Sequence, residues 1–257
     1  MSEHIFFEAT FQTEPMMIQD ANSPIESPPA DLPVEVMVKH CAQTLKPRLE
    51  GVPSPRGLAV GCGTGDEAVY VRSALAGSHL TGLDAGNRFS RTARGEADLL
   101  LGDAKALPFP PAIFDFAFAL HSLEHVGGAR EALAEIARVL KPGAWFYMGV
   151  PNRTRLVGYL GSLEPTNLQK VTWNLKDYSD RLRGRFTNEL GAHAGFSWKE
   201  LEKLLLDQFN HVECQTEPLL RFKYGAKLPR LFLNCILSPG LINYAAPSHY
   251  ALCRKAQ

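Results

Sequence analysis

The sequence predicts an α/β fold in which a mostly parallel sheet carries helices on both faces. Three observations predict it. From residue 57 onward, short apolar runs alternate with helical stretches, the rhythm of strand–helix–strand units. A glycine-rich turn, Gly61-Cys62-Gly63-Thr64-Gly65, stands where the first apolar run hands over to the first helix. Two later runs end in a carboxylate, Asp84 and Asp103. The 257 residues, 45% of them apolar, suit one such domain with insertions better than two domains.

Taken in order, residues 1–30 read as a polar arm with a short strand over 5–11. A helix is predicted over 34–45, with Val36, Val38 and Ala42 among its apolar positions, ended by Pro47, Pro53 and Pro55. Residues 1–50 are thus an N-terminal arm and helix, and 51–257 the domain proper. Strands follow over 58–60, 79–83, 98–101, 114–120 and 145–150, and helices over 67–75, 88–93 and 129–140. The last of these aligns Leu133, Ile136, Ala137 and Leu140 on one face and should stop at Lys141-Pro142-Gly143. Beyond Pro151 the rhythm loosens into an insertion, 153–196, with one or two helices. Ser197 and Glu200 then form a capping box ahead of Trp198, Leu201, Leu204, Leu205 and Phe209. A strand over 211–216, a basic apolar insertion over 219–246 and a final strand over 249–254 complete the chain.

Charge is balanced, with 27 basic and 27 acidic residues, so no overall field favours nucleic acid or anionic membrane. Its distribution is uneven. Residues 1–38 hold seven acids and no Lys or Arg, whereas 219–246 holds Arg221, Lys223, Lys227 and Arg230 and no acid. Either the two segments face each other, or the second faces an anionic substrate, or both are solvated surface. The five cysteines are odd in number, widely spaced and without a C-x-x-C pair, which fits a reducing cytoplasm rather than a disulfide framework or a zinc site. No secretory signal is read, and the most apolar run, 231–246, is too short and interrupted to span a bilayer.

Glycines in a strand-to-helix turn permit positive φ and let a ligand approach the backbone. Dinucleotide-binding folds use a similar turn. Here, however, Asp66 follows it, and a carboxylate at that helix N-terminus would repel a pyrophosphate. S-adenosylmethionine (SAM) carries a sulfonium and no phosphate, so the turn leans away from dinucleotides. Asp84 can accept from both ribose hydroxyls of a nucleoside. Asp103 can accept from an adenine amine, with the Ala104 N–H donating to the ring. Each aspartate alternatively caps a helix or turns a loop.

The segments 58–65, Gly82-Leu83-Asp84, 102–109, 114–125 and 135–143, in that order and spacing, resemble the class I SAM-dependent methyltransferases. The type 11 branch, which includes ubiquinone- and menaquinone-biosynthesis enzymes, is the nearest likeness, over about residues 55–152. The resemblance implies a Rossmann-like, seven-stranded sheet with its last strand antiparallel. It implies SAM as cofactor and a small-molecule acceptor. By position, Gly61, Cys62, Gly63 and Gly65 would meet the methionine part of SAM, Asp84 the ribose, and Asp103 and Ala104 the adenine. His121 would line the methionine or methyl-transfer region. One position departs from the family: Ala59 stands where an acid is usual. That departure motivates an alternative, a non-catalytic SAM-fold binding or regulatory protein. An RNA or protein methyltransferase is a third reading, opposed by the neutral charge.

Methyl transfer from a sulfonium is an in-line displacement, so the protein chiefly aligns the acceptor and excludes water. A base is needed only where the acceptor must lose a proton. His121 and His125 are the candidate bases. With Glu124 they also form a His-x-x-Glu-His set, for which a divalent metal is the lesser alternative to a simple pocket wall. Trp173, Tyr178 and the basic residues of 153–196 form either a lid over an anionic or aromatic acceptor or surface charge with core aromatics, and His193, between glycines, either touches the acceptor at the pocket mouth or is a plain loop histidine. Segment 219–246 suits an acceptor-pocket cover, a homodimer surface or a lipid-facing patch.

Overall fold

The computed structural model describes residues 35–158, 166–188 and 194–257. Seven strands form one sheet: β1 (Arg56–Val60), β2 (His79–Asp84), β3 (Asp98–Leu101), β4 (Phe114–Leu120), β5 (Leu140–Pro151), β6 (His211–Cys214) and β7 (Ser248–Arg254). Their spatial order is β3-β2-β1-β4-β5-β7-β6. The pairs β1/β2, β2/β3, β1/β4 and β4/β5 are parallel, and β7 runs antiparallel to both its neighbours. The order reverses direction between β1 and β4. That switch point leaves a crevice beyond the carboxyl ends of the strands, where such folds bind ligands.

Alternation along the strands builds two cores. Leu58 and Val60 face one side of the sheet with Ala117, Ala119 and Phe146. There they meet α4 (Ala129–Val139) and α6 (Trp198–Leu206) through Leu133, Ile136, Leu201 and Leu205. Ala59 faces the other side with Phe116, Phe118 and Tyr147. This second face is covered by α1 (Val36–Leu45) and α2 (Asp66–Ala74), through Val38, Cys41, Leu45, Ala68 and Val71. Because α1 is buried in the same core as the strands, the division expected at residue 50 marks no change of core. The strand expected over 5–11 lies outside the described residues.

Three boundaries differ from expectation. The fourth helix ends at Val139 and β5 starts at once, with Leu140 paired to Phe114. Lys141-Pro142-Gly143 therefore lies inside a strand, not after a helix. The register shifts between Phe114 and Phe116, and Gly143 adopts φ +75°; such a bulge accommodates a proline that has no N–H for the ladder. The helix expected over 88–93 is α3 (Arg91–Glu96), set three residues later because the Ser90 hydroxyl accepts from the Ala93 N–H and fixes the start. The strand expected to reach residue 216 stops at Cys214, and the Thr216 hydroxyl instead accepts from the Tyr250 N–H at the head of α7 (Thr216–Tyr224). The capping box of Ser197 and Glu200 is formed as read.

The two insertions are held by polar groups more than by apolar ones. In the first, α5 (Asn167–Leu182) buries only Asp177. That carboxylate pairs with the buried Arg155 guanidinium at 2.7 Å, and Arg155 and Arg181 both lie over the Phe186 ring. The second folds as α7, α8 (Arg230–Ile236) and α9 (Ile242–Ala245) around its own small cluster of Leu220, Leu233, Leu237 and Ala246. Asn152, fully buried at the end of β5, joins the two. Its amide donates to the Asn243 and Ala246 carbonyls, and its oxygen accepts from the Thr154 N–H.

Candidate active site

A cavity of about 1040 Å³ opens beyond the carboxyl ends of β1, β2, β3 and β4. The glycine turn, the ends of β2 and β3, and residues 120–127 after β4 wall it. The volume exceeds the usual size of a single-ligand pocket, which leaves room for a nucleoside cofactor and an acceptor together.

The turn is shaped by contacts that tolerate no side chain. Gly61 has φ +69°, and a Cβ there would sit 2.2 Å from Ser122 Cβ. The Ser122 hydroxyl in turn donates to the Val60 carbonyl at 2.9 Å, binding the ends of β1 and β4 together. Gly63 has φ +55° and open space where a Cβ would be, so its peptide faces the cavity unobstructed. Gly65 is buried at the N-cap of α2 beside Ala93 and Leu99, and it is not among the residues that line the cavity. Its φ of +86° and this close packing by themselves favour glycine there. Cys62 lines the cavity, yet its thiol turns inward to Gly82, and burial pushes that thiol up to about 12.

Asp84 organises the turn. One carboxylate oxygen accepts from the Gly63 N–H and the other from the Gly86 N–H, each at 2.8 Å. A carboxylate has about four lone-pair sites, so each oxygen keeps capacity for a hydroxyl donor. Asp103 accepts from the Lys105 N–H at 2.9 Å and stays half exposed on the wall beside Ala104. The loop-turning and ligand-holding roles, alternatives in the sequence, are therefore compatible on the same side chains. Asp66 is latched by the Ser90 hydroxyl at 2.5 Å and the Thr64 hydroxyl at 2.9 Å, keeping a negative charge beside the turn. Carboxylates, exposed peptides and the absence of a cation within the turn fit an adenosyl sulfonium.

His121 follows β4 with φ +50°, an uncommon conformation for a non-glycine residue. Its N–H donates to the Gly149 carbonyl at 2.8 Å, which sets where the ring stands. Its Nδ1 lies 3.7 Å from Glu124 Oε1, and its Nε2 lies 3.3 Å from the Tyr250 hydroxyl. Both Glu124 oxygens are buried, with no hydrogen-bond partner among the described residues. Burial alone would push His121 down. The Glu124 carboxylate, aided by Glu35 and Glu67, outweighs it and holds His121 above its ordinary value. His125 is half exposed, with Nε2 3.9 Å from Glu124 Oε1. His121 and Glu124 do come together, but no group of three His, Cys, Asp or Glu side chains among the described residues is arranged to hold a metal ion.

Three wall or rim residues escaped the sequence reading. Glu67 reaches the cavity from the first turn of α2. Burial raises its carboxyl to about 7, Glu35 and Asp66 push the same way, and His121 opposes them. Arg88 lines the opposite part of the wall. Tyr250 joins His121 from 129 residues away. Glu67 alone had a signal, an acid two residues past the last glycine. The lid expected from 153–196 is not on the wall: no described residue of either insertion lines the cavity. Some of its cations are paired elsewhere, Arg153 with Glu200 and Lys176 with Asp180. His193 lies outside the described residues.

Fold and cavity together define a SAM-binding α/β protein. Residues 58–148 match the family model described as "Methyltransferase domain". An O-methyltransferase of Aspergillus nomiae is 37% identical over 128 residues, 46% of this chain and 56% of that one. A malonyl-[acyl-carrier protein] O-methyltransferase of Salmonella typhimurium is 33% identical over 181 residues, 69% of this chain and 64% of that one. Phosphoethanolamine N-methyltransferase 2 of Haemonchus contortus, solved with S-adenosyl-L-methionine, shares the fold with a TM-score of 0.53 at 16% identity, covering 85% of this chain and 53% of that one. The chain spans about half the length of the first curated relatives it matches. Over residues 58–148 the chain thus resembles the type 11 branch of the class I SAM-dependent methyltransferases, a likeness that supports SAM as the cofactor.

Proposed function

We propose that the protein transfers a methyl group from SAM to a hydroxyl of a small-molecule acceptor. One observation carries the reading: a single cavity joins the glycine turn, Asp84 and Asp103 to His121, which is backed by the buried Glu124. Bound SAM supplies a methyl group already activated for displacement. Gly61, Gly63, Asp84, Asp103 and Ala104 hold and orient it. Glu67 supplies negative charge that Ala59 lacks. Glu124 favours the proton on His121 Nδ1, which leaves Nε2 to take the acceptor's proton. His125, farther into solvent, is the lesser candidate for that step. Of the two acceptor characters expected, the aromatic one fits better than the anionic one, because Glu67 and Glu124 flank His121 and Tyr250 stands beside it. A cytoplasmic setting belongs to the same reading, supported by five free thiols of which Cys214 and Cys235 are exposed.

Calorimetry tests the cofactor: SAM and S-adenosylhomocysteine should both give saturable heat, and silence from both would reject the reading. A homocysteine-release assay across hydroxyl acceptors tests the chemistry. Turnover should fall as pH drops through the raised His121 value, and Glu124→Gln should move that limb toward lower pH. A limb that stays in place removes His121 as the base. The binding-only reading, motivated by Ala59, fails if any methyl transfer is measured that Asp84→Ala abolishes.

A further inference from the structure

We propose that the two insertions together form a docking face for an anionic lipid surface. All but three of the large apolar side chains exposed among the described residues lie in them; the exceptions are Leu100, Leu101 and Leu206. On α5 these are Leu168, Val171, Trp173, Leu175, Tyr178 and Leu182, the last 91% exposed. On the α8–α9 segment they are Leu231 (84%), Phe232 (55%), Leu241 and Tyr244. The two sets meet at Leu156. The Leu156 N–H donates to the Tyr244 carbonyl at 2.9 Å, and the Tyr178 hydroxyl donates to the Leu156 carbonyl, so α9, Leu156 and α5 adjoin. A protein of this size rarely leaves so much contiguous apolar surface in water.

Charge decides what covers it. Every described carboxylate of the two insertions is ion-paired within its own insertion: Asp177 with Arg155, Asp180 with Lys176, and Glu217 with Arg221. Lys170, Arg183, Arg185, Lys227 and Arg230 have no carboxylate partner among the described residues, and residues 218–257 contain no acid at all. Lys227 and Arg230 are exposed beside Leu231 and Phe232. Large apolar side chains among unbalanced cations suit the headgroup region of a negatively charged bilayer, where the cations meet lipid phosphates and the apolar groups enter the acyl boundary. A second copy of the chain would set these cations against one another.

Co-sedimentation of the full chain with vesicles tests this. Vesicles of phosphatidylcholine containing phosphatidylserine should carry the protein down, and phosphatidylcholine alone should carry much less. Leu231→Asp with Phe232→Asp should weaken binding at least ten-fold. Lys227→Gln and Arg230→Gln should each weaken it about five-fold and flatten its salt dependence. These side chains are exposed, and circular dichroism confirms that each variant folds. No binding to the anionic vesicles overturns the proposal. So does equal binding to both vesicle types, or binding that the aspartate pair leaves unchanged. Sedimentation velocity showing a dimer that the aspartate pair splits would assign the face to a second copy and also overturn it.

Discussion

The glycine-turn segment, residues 58–148, and the two insertions are built on different physics. In the first, strands alternate their side chains into two apolar cores, and polar groups are spent on the cavity wall. In the insertions, a buried ion pair and a fully bonded asparagine do the anchoring, while large apolar side chains stay outside. The first arrangement presents a pocket and the second presents a face. The difference teaches that exposure of apolar residues here is not loose packing. The insertions are tied to the end of β5 by specific hydrogen bonds, and their outer surface is left for something else.

The comparison can be broken most forcefully at Arg155. Asp177→Ala should strand a buried guanidinium and cost about 3–5 kcal/mol of stability. Denaturant unfolding measures this. A loss below 1 kcal/mol would mean that the insertions are not held by that pair. Next comes Asp84→Ala, which frees the Gly63 and Gly86 N–H groups and removes the proposed ribose acceptor. SAM affinity should drop about 100-fold in calorimetry, on the order of 3 kcal/mol, with a smaller fall in stability.

Glu67→Gln sharpens the contrast through pH. The folded carboxyl titrates near 7, above its unfolded value, so the folded chain binds the extra proton between about pH 4.5 and 7. The charged form is thus a cost above pH 7 that vanishes on acidification. The glutamine variant should melt higher than the parent at pH 8, by an amount on the order of 1–3 kcal/mol, and alike at pH 4. Saturating SAM should shrink that gap if a cation sits beside Glu67. Last, Leu231→Asp in the second insertion should change stability and SAM affinity by less than about 0.5 kcal/mol, because that side chain touches neither core nor cavity. A large change would place Leu231 in a packed environment.

Legibility followed the same divide. The strands β3 and β4 were bounded to the residue, since their apolar runs are short and flanked by turn chemistry. The Ser197 capping box was equally plain, because capping is local. Gly61, Asp84, Asp103 and His121 could be placed for the same reason: each sits at a strand end that periodicity already marks. Gly65 was harder to read, since a glycine required by packing and one required by a ligand look the same in a chain. Nor does charge composition tell where the cations of 153–196 stand relative to the cavity.

The sequence by itself determined the sheet, the two faces of helices, the cofactor turn and the acids behind it. Each depends on residues close together in the chain, where φ, capping and two-residue alternation are set. Only the tertiary structure decided that Tyr250 meets His121, that Glu124 is buried without a hydrogen-bond partner among the described residues, that Glu67 faces the cavity, and that the insertions meet at Leu156. Those facts depend on desolvation and on contacts between distant segments, which exist only once the sheet has brought its strand ends together.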